Sequence, residues 1–316
     1  MTGEKKMIRA EGPLSGHLVM LITAVIWGTT FIATKILLQD FAPIEILFFR
    51  FIMGFAALWL ICPHRLRIIE KKQELVFMGA GLTGITLYYL LENIALTYTM
   101  ASNVGVAVSV SPFFTVILTY FFLRDEKLHW NFFIGFLFAL AGIILINFNG
   151  STRFHLNPMG DWLAVAAAFV WAVYAILTKK ISGYGYSSIQ STRHVFFYGL
   201  VFMIPALFLF YFHWDLARFQ QPVYLFNIIF LGLGASAACF VTWNFAVRCL
   251  GAVKTTIYIY LIPVVTVIAS VLVLHETITG LACLGTLLTL AGLFISESDK
   301  LFHRKSAQKR KIKAEE

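Results

Sequence analysis

The sequence predicts an all-α integral membrane protein of ten transmembrane helices, arranged as two inverted five-helix repeats. Three observations carry that expectation. Of 316 residues, 59% are hydrophobic and 13% charged, against about 25% charged residues in an ordinary soluble domain. The apolar residues gather into runs long enough to span a bilayer, which takes about 20 residues in a helix. Short patterns from the first half recur in the second at offsets of 144 to 151 positions.

The elements follow in order. Residues 1–16 are a charged tail, too short to hold a cleaved signal before the first apolar run. Spans follow at 17–37, 44–62, 75–96, 103–122 and 130–147, making the first repeat, 17–147. A polar linker, 148–158, leads to the second repeat, 159–297, with spans at 159–178, 191–211, 223–246, 254–273 and 279–296. Residues 298–316 form a basic tail. None of the runs alternates as a membrane β-strand does. The connections are short, so consecutive helices are expected to be antiparallel neighbours.

Charge placement orients this set. With the N-terminus inside, the inner segments carry Lys5, Lys6 and Arg9; Arg65, Arg67, Lys71 and Lys72; Arg124 and Lys127; Lys179 and Lys180; Arg248 and Lys254; and the tail from Lys300 to Lys313. The outer loops hold Arg153 and Arg218. The positive-inside rule then makes both termini cytoplasmic. The net charge of +9 is thus topological. Its partner is expected to be anionic membrane lipid, not nucleic acid.

The repeat is legible in particular residues. At an offset of 144, WGTTFIATK from Trp27 to Lys35 meets WAVYAILTK from Trp171 to Lys179. At 151, Asn93 meets Asn244, and PFFTVI (112–117) meets PVVTVI (263–268). At 150, Glu126 meets Glu276 and Gly135 meets Gly285. Five helices is an odd number, so the second copy enters the membrane from the opposite side. Inverted repeats of this kind build a site that opens alternately to either face.

The same residues resemble a known family. WG late in the first helix, an Arg in FFRF (48–51), N-x-A-L at 93–96 and P-x-x-T-V-I in both halves are similar to the drug/metabolite transporter superfamily, EamA (RhaT-like) type. The likeness covers about residues 17–297. It implies a bacterial or archaeal inner-membrane carrier of metabolites, amino acids or toxic amphiphiles. It also implies a central cavity lined by the first, third, fourth, sixth, eighth and ninth helices. Two departures stand out. Trp243 occupies the position of Glu92, and Arg193–His194 that of Arg50.

Read one by one, a few residues stand out as chemistry. Ionised groups inside a span cost at least about 2.5–3.5 kcal/mol and are usually paired. Arg50 and Glu92 fall at similar depth, roughly 9 and 6 Å from the outer ends of their helices at 1.5 Å per residue. They are expected to meet directly or through water, with Lys35 as a competing partner. With His194 they form a gate or coupling set. A proton-coupled switch is one reading of it, and a permanent ion pair that fixes packing is the other. Trp27, Trp171, Tyr174 and Trp243 lie too deep for interfacial anchors and are expected to line a substrate cavity or to pack among helices. Ser109, Tyr258 and Tyr260 flank the same region, beside Pro112 and Pro263, whose missing N–H groups kink a helix. Asn93 and Asn244 are expected to tie helices together.

Other features read as structural. Glu126 and Glu276 precede helices, where an acid suits the positive end of the dipole. Small residues at 135, 139, 142, 285 and 292 recur at helical spacing and allow close contact within the chain or across a homodimer. The four cysteines show no metal or disulfide spacing, no metal or cofactor is implied, and no Walker sequence is present. An enzyme would want a cluster of His, Cys or acids at one face, and a channel rings of like residues. The expectation is a secondary active transporter, an exporter of small metabolites, amino acids or amphiphiles, with a solute exchanger or importer as the alternative.

Overall fold

Every residue assigned a regular element among those described is helical. The structure is a computed structural model and describes residues 13–122, 130–147, 158–210, 212–275, 279–281, 283–292 and 294–295. Its helices are α1 (Pro13–Leu37), α2 (Pro43–Ile61), α3 (Lys71–Tyr98), α4 (Ala101–Val108), α5 (Ser111–Phe122) and α6 (Trp130–Asn147). Then come α7 (Pro158–Ser182), α8 (Ser188–Leu209), α9 (Pro222–Leu250), α10 (Ala252–Ile257), α11 (Leu261–Leu274) and α12 (Cys283–Gly292). Seven helices among the described residues are long and apolar enough to cross a membrane. Glu126, Glu276, residues 1–12 and residues 296–316 lie outside the described residues, and the last residues of the N-terminal tail, 13–16, are already helical.

The molecule is built for lipid. On α1, Leu14, Leu18, Leu21, Ile22 and Val25 are exposed, whereas Thr23, Thr30 and Thr34 are buried. Apolar residues at helical spacing thus point outward. Two of these threonines use a carbonyl one turn back, Thr23 with Val19 O (2.7 Å) and Thr30 with Trp27 O (2.7 Å). In hydrocarbon a polar group gains nothing by facing out, so it turns inward and bonds within the protein.

Irregularities fall at matching places in the two halves. α3 contains a π-helical stretch, Leu82–Leu87, and α9 another, Phe230–Ala238. The fourth predicted span is broken: α4 ends at Val108, the chain turns at Ser109–Val110, and α5 starts with Pro112 in its first turn. Its counterpart passes through a 3₁₀ turn, Tyr258–Tyr260, just before Pro263. Proline cannot donate to the previous turn, and each break lies where that bond would be missing. The sequence reads these spans as kinked helices. The structure interrupts them.

Packing crosses between the halves. α1 lies against α9 and α11, and α7 against α3 and α5. α2 lies on the π-helical stretch of α9, and α8 on that of α3. Glycines permit the close approach. A methyl at Gly54 would sit 3.1 Å from Gly232 O, and one at Gly199 2.5 Å from Ile85 Cβ. The small-residue seam is used inside the chain. A Cβ on Gly142 would meet Gly285 O at 2.4 Å, and one on Gly292 would meet Gly135 O at 2.4 Å. α6 and α12 therefore zip together backbone to backbone, and the seam that a homodimer could use is occupied.

Candidate functional site

Where the two halves meet, aromatic rings converge. Trp27 of α1 stands edge-on to Trp171 of α7, centroids 5.2 Å apart, and Trp243 of α9 lies 5.4 and 5.1 Å from the two. Tyr174 joins at 5.0 Å from Trp171, and Tyr88 of α3 at 4.8 Å. The four deep aromatics singled out by sequence, Trp27, Trp171, Tyr174 and Trp243, thus form one cluster. Trp27 Nε1 donates to Ala235 O (3.0 Å), a carbonyl of the π-helical stretch of α9. Trp171 Nε1 and Trp243 Nε1 are buried with no hydrogen-bond partner.

A cavity of about 20 Å³ opens beside this cluster, lined by Trp27, Tyr88, Tyr89, Glu92, Trp171 and Val108 among others. That volume holds a water molecule and not an amino acid. Glu92 is 1% exposed, and its Oε1 has no hydrogen-bond partner, though Tyr88 one turn earlier is within bonding reach of the carboxyl. Glu92 is therefore part of the aromatic cavity.

Arg50 lies behind the cavity wall. Its guanidinium sits 4.2 Å over the Tyr89 ring and 5.2 Å from Phe51, and Nε donates to Ser236 Oγ (2.9 Å). Arg50 is 0% exposed, and Nη1 and Nη2 have no partner. It acts on Glu92 electrostatically but forms no ion pair with it. The expected direct pairing is thus replaced by π-stacking and a serine bond. Tyr89 lies one turn before Glu92 on α3, so its ring takes the guanidinium where α2 approaches that helix, and Ser236 of α9 takes Nε.

The other members of the expected gate set disperse. Lys35 Nζ donates to Leu96 O (2.6 Å) and Thr99 O (2.8 Å), pinning α1 to the end of α3. His194 lies apart from the other three, near the start of α8, with Nε2 2.9 Å from Glu74 Oε1, at the far end of α3 from Glu92. Tyr198 also donates to that carboxylate. Asn93 Nδ2 donates to Pro43 O (3.1 Å), and Asn244 Nδ2 to Thr192 Oγ1 (2.6 Å), each joining neighbouring helices.

Of the residues beside the prolines, Tyr260 is buried with its OH unpartnered, while Tyr258 OH meets His17 Nδ1 at 2.6 Å. Ser109 is fully buried at the break in the α4–α5 span.

Two closures flank the cavity. At the end opposite the basic loops, Glu45 is 1% exposed and fully engaged. Arg218 grips it with Nη1 to Oε2 (2.9 Å) and Nη2 to Oε1 (3.2 Å), while Ala42 N and His213 N donate at 2.8 and 3.0 Å. Arg218 also stacks on Phe41 (4.2 Å) and donates to Asp40 O (2.6 Å). This ties the α1–α2 turn to the loop before α9. At the basic end, Tyr186 OH donates to Gln73 Oε1 (2.6 Å), and Arg193 caps the end of α2 by donating to Cys62 O and His64 O. Sequence reasoning missed the Glu45–Arg218 pair. The signal was the P-x-E at 43–45, a capping-box acid that needs a partner once buried.

The comparisons now bear on this geometry. The model of the EamA-like transporter family matches residues 14–148 and again 158–297. The chain belongs to the EamA-like transporter family. Its relatives span nearly the whole length. An uncharacterized transporter of Archaeoglobus fulgidus is 27% identical over 291 residues, covering 89% of this chain and 96% of that one. A probable terminal-alkyne amino-acid exporter of Streptantibioticus cattleyicolor is 26% identical, over 91% and 95%. A probable amino-acid metabolite efflux pump of Escherichia coli is 24% identical, over 92% and 95%. A crystal structure at 19% identity aligns with a TM-score of 0.66, covering 89% of this chain and 98% of that one, which shows a shared fold. This EamA-like chain places its aromatic cluster, Glu92 and both closures within the segments that the family model matches.

Proposed function

We propose that this EamA-like protein is a secondary active transporter. It exports small zwitterionic or amphiphilic metabolites of the amino-acid type by alternating access in the cytoplasmic membrane of a bacterium or archaeon. One observation carries the reading. A buried carboxylate lines an aromatic cavity and a buried guanidinium lies behind its Tyr89 wall, each with an unpartnered polar atom, between two closed ends. An ammonium group is drawn to Glu92 and to the faces of Tyr88 and Trp171, contacts worth about 0.5–2 kcal/mol each. A carboxylate is drawn to the free nitrogens of Arg50 once α2 and α9 part. The relatives named as a probable terminal-alkyne amino-acid exporter and a probable amino-acid metabolite efflux pump support this class.

The two halves act as inverted copies, with the basic end cytoplasmic. The cavity as described is closed to solutes at both ends. Loosening Arg193 and Tyr186 admits substrate from the basic side, and loosening Arg218 from Glu45 releases it on the other. Protonation of Glu92 during one of these openings couples export to the proton gradient.

The test is uptake and exchange in proteoliposomes over amino acids, aromatic metabolites and quaternary amines, with and without a pH gradient. Accumulation of a zwitterion against its gradient, driven by ΔpH, is the expected result. Counter-transport alone would make the protein an exchanger. Absence of movement under every gradient would remove the transporter reading.

A further inference from the structure

We propose that the lateral groove between α2 and α8, at the basic end, binds the headgroup and upper acyl carbons of an anionic phospholipid. The groove measures about 480 Å³ and is walled by Phe55 and Trp59 of α2, Arg65 and Leu66 of the following loop, and Arg193 and Phe197 of α8. It faces the surroundings of the bundle, because Trp59 and Phe197 are 52% and 46% exposed and neighbouring Leu60 and Ile61 are exposed too.

Its chemistry is divided as a lipid is divided. The walls are aromatic and apolar, while Arg65 and Arg193 lie where α2 ends, the depth of headgroups for a helix that spans the bilayer. Arg193 is bonded to the neutral carbonyls of Cys62 and His64, so its charge has no carboxylate to cancel it. The acid at the edge, Glu74, is engaged by His194 and Tyr198. The positive charge facing the groove is thus uncompensated, and basic pockets between membrane helices recognise anionic headgroups. A phosphate bridging Arg65 and Arg193 joins the α2–α3 loop to α8 and reinforces the closure at that end.

The experiment is native mass spectrometry of the full-length protein in detergent, titrated with dioleoylphosphatidylglycerol or dioleoylphosphatidylcholine. Retention of phosphatidylglycerol and not phosphatidylcholine is expected. Removing one basic contact near the surface in Arg65→Gln is expected to weaken retention about fivefold. Trp59→Ala, which alters only the apolar wall, is expected to weaken it as well. Both side chains are exposed, so both variants fold. Equal retention of the two lipids, unchanged retention in Arg65→Gln, or displacement of the lipid by soluble glycerol phosphate at matched concentration would each overturn the proposal.

Discussion

Single side chains here do work that their neighbours in sequence do not announce. Glu45 and Arg218 form a bidentate pair at 2.9 and 3.2 Å with the acid almost wholly buried. Removing one partner of such a pair leaves a buried charge and costs about 3–5 kcal/mol. Arg218→Ala is expected to destabilise the closed end by that order, read as a lower thermal midpoint and as greater labelling of a cysteine placed in the cavity from that side. Glu92 is a different case, since nothing in the structure neutralises it by direct contact. Glu92→Gln is expected to lower transport at least about tenfold and to flatten its dependence on external pH. Retained activity with the wild-type pH profile would leave Glu92 a packing residue. The sequence located Glu92, Arg50 and the deep tryptophans because their polarity or size is anomalous at that depth. It did not reveal that His194 meets Glu74, because a position in the repeat does not say which way a side chain turns.

Elements show why lipid-embedded helices rely on glycine. With hydrocarbon on the outside, burying apolar surface gives little drive to associate, and close backbone approach supplies the contact instead. A Cβ on Gly84 of α3 would lie 2.3 Å from the Tyr174 ring of α7. Gly84→Ala is therefore expected to cost about 1–3 kcal/mol through overpacking, seen as a lower melting temperature, and to displace Tyr174 beside the cavity. Gly142→Val is expected to separate α6 from α12 with a loss of the same order. The π-helical stretches are another matter. That of α9 sets Ser236 toward Arg50 and Ala235 O toward Trp27, and π-turns inside helices often mark functional places. Hydrophobic runs report only that a helix exists, so Leu82–Leu87 and Phe230–Ala238 were read as ordinary helix.

The molecule as a whole is two halves packed through each other, with a closure at each end. Alternating access predicts that the closures do not open together. Spin labels at Gln39 and Gln220, across the Glu45–Arg218 end, are expected to separate on one set of conditions. A pair at Ile69 and Gly183, across the basic end, is expected to separate on the other. Distance distributions from pulsed electron resonance that widen at both ends at once would count against the mechanism.

By itself, the sequence determined the all-helical membrane class, the charge asymmetry and the doubled pattern of residues. Lipid imposes those on composition and spacing, residue by residue, without regard to partners. Only the tertiary structure decided that Arg50 bonds Ser236, that His194 belongs with Glu74, that Arg218 reaches Glu45 and that the glycine seam closes within the chain. These contacts join residues from 120 to 186 positions apart. They depend on how each helix is rotated about its axis, and that rotation is settled by the packing of all the helices together.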